Sequence, residues 1–285
     1  MTTTVALNDG TAIPQIGLGV YQVTRAGACE AAVSTALRSG YRLIDTASVY
    51  GNERAVGRGI SDSGIPRQDI LLTTKLWPSD YSPRRVGDAI TGALTRLGTD
   101  YIDLMLLHQP VGDITSAWHA LEDAVDAGLI RSIGVSNFAT ADLTALLRTA
   151  RIRPAVDQIE LHPYWQQTEL LPFLRAEGIV PQAWYPLGHG SSDLLSEPAV
   201  TAPAARLGVS PVQVVLRWHI QSGYVAIPRS TNPAHIASNL DVFGFTLPED
   251  EMAAINGLGR DRPLFRTPRW VLSAVQRRIR PRQLA

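Results

Sequence analysis

Four residues in the first half of the chain have the types to do chemistry together. Asp45 ends the apolar run Tyr41-Arg42-Leu43-Ile44, Lys75 lies in Ile70-Leu71-Leu72-Thr73-Thr74-Lys75-Leu76-Trp77, and His108 follows Ile102–Leu107. Tyr50 lies five residues beyond Asp45. Lys75 stands out because every other one of the 26 basic residues is an arginine. An arginine is bulky and always charged, whereas a lysine is a compact point charge that can tune a neighbour's pKa. An aspartate beside it makes a partly buried pair that holds the amine in place. A cation beside a tyrosine favours phenolate, so Tyr50 is expected to titrate below its usual ~10. Such a tyrosine can give a proton to an oxygen on which negative charge develops, and a nearby histidine can orient that oxygen by a hydrogen bond. The set suits reduction of a carbonyl, with the proton from Tyr50 and a hydride from elsewhere.

These residues need elements that bring the ends of separate strands together. Short apolar runs recur at 16–20, 41–45, 69–77, 102–107, 132–136, 155–161, 179–184 and 225–227. Helical spacing follows them at 26–39, 52–61, 83–97, 115–127, 140–149, 168–177, 197–207, 211–222 and 233–240, with Gly40, Gly98 and Gly128 as stops. Nearly continuous apolar strands indicate a parallel sheet covered on both faces, and eight repeats of the unit indicate a (β/α)8 TIM barrel. The alternative is an open doubly wound sheet, but no Gly-x-Gly-x-x-Gly follows the first strand. Asn8-Asp9-Gly10 reads as the turn of an N-terminal hairpin over 5–14. With no dividing linker, residues 1–285 form one barrel domain with an arginine-rich C-terminal segment, 260–285, that carries eight arginines and one acid, Asp261.

In a barrel the functional groups gather at the C-terminal strand ends. Besides the first four, those ends carry Ser136-Asn137, Gln158 to His162, and Trp184-Tyr185. The formal net charge is zero, so the chain as a whole offers no electrostatic case for nucleic acid. Cys29 is the single cysteine, which excludes an internal disulfide and suits a reducing compartment. No apolar run approaches the ~20 residues of a membrane helix. The first residues lack a basic region followed by an apolar stretch. A soluble cytoplasmic protein without a membrane partner is expected.

The segments Ile44 to Glu53 (IDTASVYGNE), Thr74-Lys75-Leu76-Trp77, Leu107-His108, Gly134 to Phe138 and Ile227-Pro228-Arg229-Ser230 resemble the aldo-keto reductase family, most closely prokaryotic members of the 2,5-diketo-gluconate reductase type. The likeness runs in order over about residues 5–245. It implies NAD(P)H-dependent reduction of aldehydes or ketones, including keto acids or sugar-derived carbonyls. Tyr50 is then the general acid, Lys75 and Asp45 its tuning pair, and His108 the group that orients the carbonyl. Ser136, Asn137 and Gln158 are implied to bind the nicotinamide carboxamide, and Trp184 to stack on its ring. Gly19 and Tyr21 line the mouth of the first strand, with Tyr21, Trp77 and Gln109 in the substrate pocket. Leu187 and Gly188 belong to a loop over the pyrophosphate, while Arg229, Ser230, His235 and Asn239 serve the adenosine end. Many relatives are monomers, so a monomer or weak homo-oligomer is expected.

Two departures bear on specificity. Arg229 stands where the family usually has lysine beside the 2′-phosphate. His235 stands where NADPH-specific members usually have a second arginine, a loss of one charge-assisted contact of about 1.5–3 kcal/mol. NADPH is therefore the expected cofactor, with NADH accepted unusually well; alternatively, Arg229 and backbone donors suffice. In the C-terminal segment, Arg262, Arg266 and Arg269 form a candidate clamp for an anionic substrate. A solvated tail and, from Trp270, Val271, Leu272, Val275 and Ile279, a membrane-surface helix are the other readings. A metal-dependent barrel enzyme using Asp45, His108, Glu160 and His162 is disfavoured, because Lys75 would repel the cation and no metal is expected. Glu160 and His162 are expected instead to brace Gln158. The non-enzyme rival is a nucleotide-binding sensor subunit with little turnover. His119, His189 and His219 are given no role, and Cys29 is a small buried residue.

Overall fold

The computed structural model describes residues 3–190, 192–260 and 262–265, and singly 271, 274, 279 and 281. Ten strands follow in order: β1 Thr4–Ala6, β2 Ala12–Pro14, β3 Leu18–Gly19, β4 Leu43–Asp45, β5 Leu71–Leu76, β6 Ile102–Leu107, β7 Ile130–Ser136, β8 Val156–Glu160, β9 Val180–Trp184 and β10 Val225–Ala226. β1 and β2 form the antiparallel hairpin expected from its turn residues. β3 to β10 pair in sequence order, every neighbour parallel. A parallel bridge between Ile16 and Ala226 joins the two edges. Gly17 N–H donates to Ala226 O at 2.9 Å and Gly19 N–H to Pro228 O at 3.1 Å, closing the (β/α)8 barrel. Glycine suits position 19 at this seam, because a Cβ there would make a tight contact of 3.0 Å with Ile227 O.

Strand alternation explains why the floor of the barrel is greasy and its mouth polar. Side chains two apart on a strand share a face. Leu43, Leu71, Leu104, Leu106, Val156, Val180 and Val225 form one buried cluster inside the barrel, sealed from below by Leu7 and Ile13 of the hairpin region. Continuing each strand by twos leads from Leu43 to Asp45, from Leu71 through Thr73 to Lys75, from Leu106 to His108, and from Val156 to Gln158 and Glu160. The opposite parity, such as Leu72, Leu76, Met105 and Leu107, packs in a second cluster with the surrounding helices.

The helices match the expected repeat with three differences. The helix expected from Pro83 begins at Val86, because residues 82–85 form a turn first. A short helix, Ser192–Ser196, and a last one, Glu249–Asn256, went unread in the sequence. No single helix among the described residues is long and apolar enough to cross a membrane.

Candidate active site

At the C-terminal strand ends lies a cleft of about 1170 Å³. Asp45 and Lys75 lie at its base, 2% and 1% exposed. Lys75 Nζ donates to Asp45 Oδ1 at 2.6 Å, to Thr46 O at 2.9 Å and to the Tyr50 hydroxyl at 3.4 Å. The ammonium thus spends its three protons on three oxygens, one of which faces the cleft. Tyr50 reaches that point because Ser48–Tyr50 makes one helical turn ending at Gly51, whose φ of 74° reverses the chain. His108 packs edge-on against Trp77, with ring centres 5.1 Å apart, and against Tyr50 at 5.7 Å.

The electrostatics correct one expectation. Tyr50 does not titrate below its usual value: burial first, then the charge of Asp45 and the neighbouring phenols of Tyr21 and Tyr185, push it well above. The carboxylate that holds Lys75 offsets the field of the ammonium, so the near-neutral pair cannot overcome the cost of burying a phenolate. Burial lowers Lys75, with Asp45 opposing, and raises Asp45, with Lys75 opposing. His108 is driven well below the imidazole range by burial and by the charge of Lys75, so its ring is neutral near pH 7. The arrangement offers a protonated phenol and a neutral imidazole on the same wall of a cleft, backed by a buried cation.

The other strand ends are wired to this centre. Gln158 donates through Nε2 to Asp45 Oδ2 at 2.7 Å and to Gln182 Oε1 at 2.9 Å. Its brace is therefore Asp45 and Gln182, not Glu160 and His162 as expected; those two pair with each other at 3.2 Å, and Glu160 Oε1 also accepts from Leu264 N–H at 2.6 Å. Asn137, held at φ 64°, donates to His108 O and to Ser136 Oγ and accepts from Trp184 Nε1–H at 2.9 Å. Ser136 Oγ–H donates to Gln158 O at 2.8 Å. Gln158 Oε1 has no hydrogen bond to another described residue.

Gly19, Tyr21, Trp77, Gln109, Ser136, Asn137, Gln158, Trp184, Leu187 and Arg229 line the same cleft as Asp45, Tyr50 and His108, and Lys75 lies beneath Tyr50. Gly188 begins the tight turn Gly188–Gly190 beside it. Ser230, His235 and Asn239 lie outside the lining. Ser230 Oγ accepts from Asn232 N–H, His235 is exposed in the first turn of helix Pro233–Leu240, and Asn239 is buried on that helix.

Further residues contribute to the cleft. His189, expected to have no role, lines the cleft and meets Tyr185 at 4.6 Å. Tyr185, at φ 50°, packs nearly parallel to Phe265 at 5.6 Å, and Phe265 lies 5.9 Å from Trp184. Only the run of aromatics at 184–185 hinted at this. In the C-terminal segment, Pro263, Phe265 and Ile279 line the cleft, whereas Arg262 is exposed and does not. Arg266, Arg269, Trp270, Leu272 and Val275 lie outside the described residues. No three of the described His, Cys, Asp and Glu side chains group as metal ligands.

A closed parallel barrel whose mouth holds an Asp–Lys pair, a tyrosine and a histidine defines a class of barrel oxidoreductases. The sequence agrees: the model of the aldo/keto reductase family matches residues 15–260. The chain belongs to the aldo-keto reductase family. It is 47% identical over 272 residues to an aldo-keto reductase of Mycolicibacterium smegmatis, covering 94% of this chain and 98% of that one. It is 44% identical over 268 residues to the morphine 6-dehydrogenase of Pseudomonas putida, covering 89% and 90%. Among solved structures, the Bombyx mori aldo-keto reductase in complex with NADP superposes with a TM-score of 0.90 at 35% identity, covering 95% of this chain and 97% of that one.

Proposed function

We propose that this protein is an NADPH-dependent reductase of small aldehydes and ketones in which Tyr50 donates the proton. The carrying observation is Lys75, whose single ammonium touches Asp45 and the Tyr50 hydroxyl at the base of the cleft beside His108. Burial keeps the Tyr50 phenol protonated at neutral pH, which is the form a reduction requires. As the proton leaves, Lys75 stands 3.4 Å away to meet the charge that forms. The neutral His108 ring holds the carbonyl oxygen by a hydrogen bond. Asp45, Gln158 and Gln182 keep the ammonium from turning away.

The residues present fit a nicotinamide cofactor. The cleft is large, Gln158 Oε1 is an open acceptor for a carboxamide N–H, and the Trp184 indole is fixed by Asn137 where it can take an aromatic ring. Arg229, exposed at the rim, suits a phosphate. When bound, the cofactor supplies the hydride for the carbonyl carbon. The NADP complex of the Bombyx mori protein and the dehydrogenase from Pseudomonas putida support this reading.

The test is Tyr50→Phe, assayed with nitrobenzaldehyde and NADPH. Turnover is expected to fall by roughly 10²-fold or more while the cofactor dissociation constant stays unchanged. Near-normal turnover would overturn the assignment of the proton donor.

A further inference from the structure

Beyond the four residues of the proposed mechanism, one buried charge beside them has a geometry that calls for a purpose. Glu53 opens the helix Glu53–Ser63, three residues after Tyr50, and its side chain is 0% exposed. Its Oε1 accepts from the Thr74 hydroxyl at 2.7 Å, and its Oε2 from Arg96 Nε–H at 2.6 Å. A carboxylate withdrawn from water is costly unless its partners are well placed, and here one of the two is the residue immediately before Lys75.

Alternation on β5 gives that contact its leverage. Lys75 points into the barrel toward Asp45 and Tyr50, so Thr74 points outward, with Leu72 and Leu76, toward the helices. Glu53 therefore grips the outer face of the strand whose inner face presents the ammonium. The Tyr50 turn lies between two anchors. On one side Asn52 accepts from the Thr46 hydroxyl at 2.7 Å and donates to Val20 O at 2.9 Å. On the other side stands Glu53. The helix it opens is seated by backbone contact: a Cβ on Gly57 would lie 2.4 Å from Leu97 O, next to Arg96. Helix, arginine, carboxylate and strand form one chain of close contacts ending beneath Lys75.

We propose that Glu53 is a positioning residue for Tyr50: through Thr74 it ties the tyrosine's turn to the strand that carries Lys75, and so sets the distance between phenol and ammonium. This rests on the reading of Tyr50 as proton donor. Asn52 fixes the turn to Thr46 and to the first strand's loop; Glu53 adds a bond to the outer face of β5, next to Lys75.

The decisive variant is Thr74→Val, which removes the hydroxyl, keeps the shape, and leaves the Glu53–Arg96 pair in place. It is measured alone, together with Tyr50→Phe, and against Tyr50→Phe alone, using nitrobenzaldehyde and NADPH. Cofactor affinity is followed separately by tryptophan fluorescence. Thr74→Val alone is expected to lower kcat by roughly tenfold or more, since small misplacements of reacting groups are expensive, with KM and cofactor affinity little changed. In the Tyr50→Phe background it should cause no further loss, because coupled residues are not additive. Glu53→Gln, whose amide can still bridge Thr74 and Arg96, should retain far more turnover than Glu53→Ala; if Glu53→Ala fails to fold, Thr74→Val carries the test. An unchanged kcat in Thr74→Val, even with a lowered melting temperature, would overturn the proposal. So would an equal fold-loss with and without Tyr50. Near-full turnover in Tyr50→Phe alone would instead sink the underlying assignment of the acid.

Discussion

Replacing Asp45 with asparagine would isolate the buried ion pair. Asp45 and Lys75 are both almost fully enclosed, and their charges meet at 2.6 Å. At an effective dielectric of about 20, two unit charges at that separation attract by about 6 kcal/mol, much of which offsets the desolvation of both ions. Asparagine keeps the shape and removes the charge. The ammonium keeps neutral acceptors, among them Thr46 O and the Tyr50 hydroxyl, but has lost its counter-charge. Removing one partner of a buried pair costs about 3–5 kcal/mol. At about 2 °C per kcal/mol for a chain of this size, the melting temperature falls by roughly 6–10 °C.

The loss carries a pH signature. Burial already lowers the pKa of Lys75 below its ordinary 10.5, and Asp45 is the group that opposes that shift. Without Asp45 the amine drops further. Between the lowered folded value and the ordinary unfolded one, the unfolded chain binds more protons, so the stability of the variant rises with pH. The gap between wild type and Asp45→Asn is therefore widest near neutrality and narrows as pH rises toward the ordinary lysine value of 10.5 and the buried amine sheds its proton. Thermal melts followed by far-UV circular dichroism across that range are the assay. A gap that does not change with pH, or one below about 1 kcal/mol, would refute the description of Asp45 and Lys75 as a charged buried pair.

Two further outcomes are expected. Because Tyr50 is held above its usual phenol range, the acid form persists and kcat for reduction should run flat from neutral pH to about pH 9; a decline centred near pH 7–8 that is absent in Tyr50→Phe would contradict the burial argument. His235→Arg places a fixed charge in the first turn of helix Pro233–Leu240 and should raise the preference for NADP⁺ over NAD⁺ about tenfold in a binding titration; an unchanged ratio would remove His235 from the account of cofactor choice.

Much of the architecture is legible in the chain because its cause is local. The runs ending at Asp45, Lys75 and His108 are short and apolar, and each leads to a helix, so a parallel barrel follows from period and order alone. The hairpin is written in Asn8-Asp9-Gly10. The Pro83 region misled because proline at a helix start and proline in a preceding turn look alike in one dimension, and only the packing of residues 82–85 chooses between them. The last helix, Glu249–Asn256, went unread because its apolar stripe is thin and its partners, such as Val214 and Trp218, lie more than 30 residues upstream.

The sequence by itself determined which residues meet at the mouth of the barrel. Parity along each strand and the identity of the strand ends decide that Asp45, Lys75, His108 and Gln158 face one another, since strands can pair in one register only if their apolar faces remain buried. Tertiary structure alone decided how those residues behave. Tyr50 lies beside a cation, which read in sequence as a lowered pKa. In space the same cation is neutralised by Asp45 and the phenol is enclosed by Tyr21 and Tyr185, which reverses the shift. The bond from Glu53 to Thr74 and the packing of Phe265 on Tyr185 join residues 21 and 80 positions apart. Desolvation and long-range contact depend on the sum of everything nearby in three dimensions, and no spacing along the chain encodes that sum.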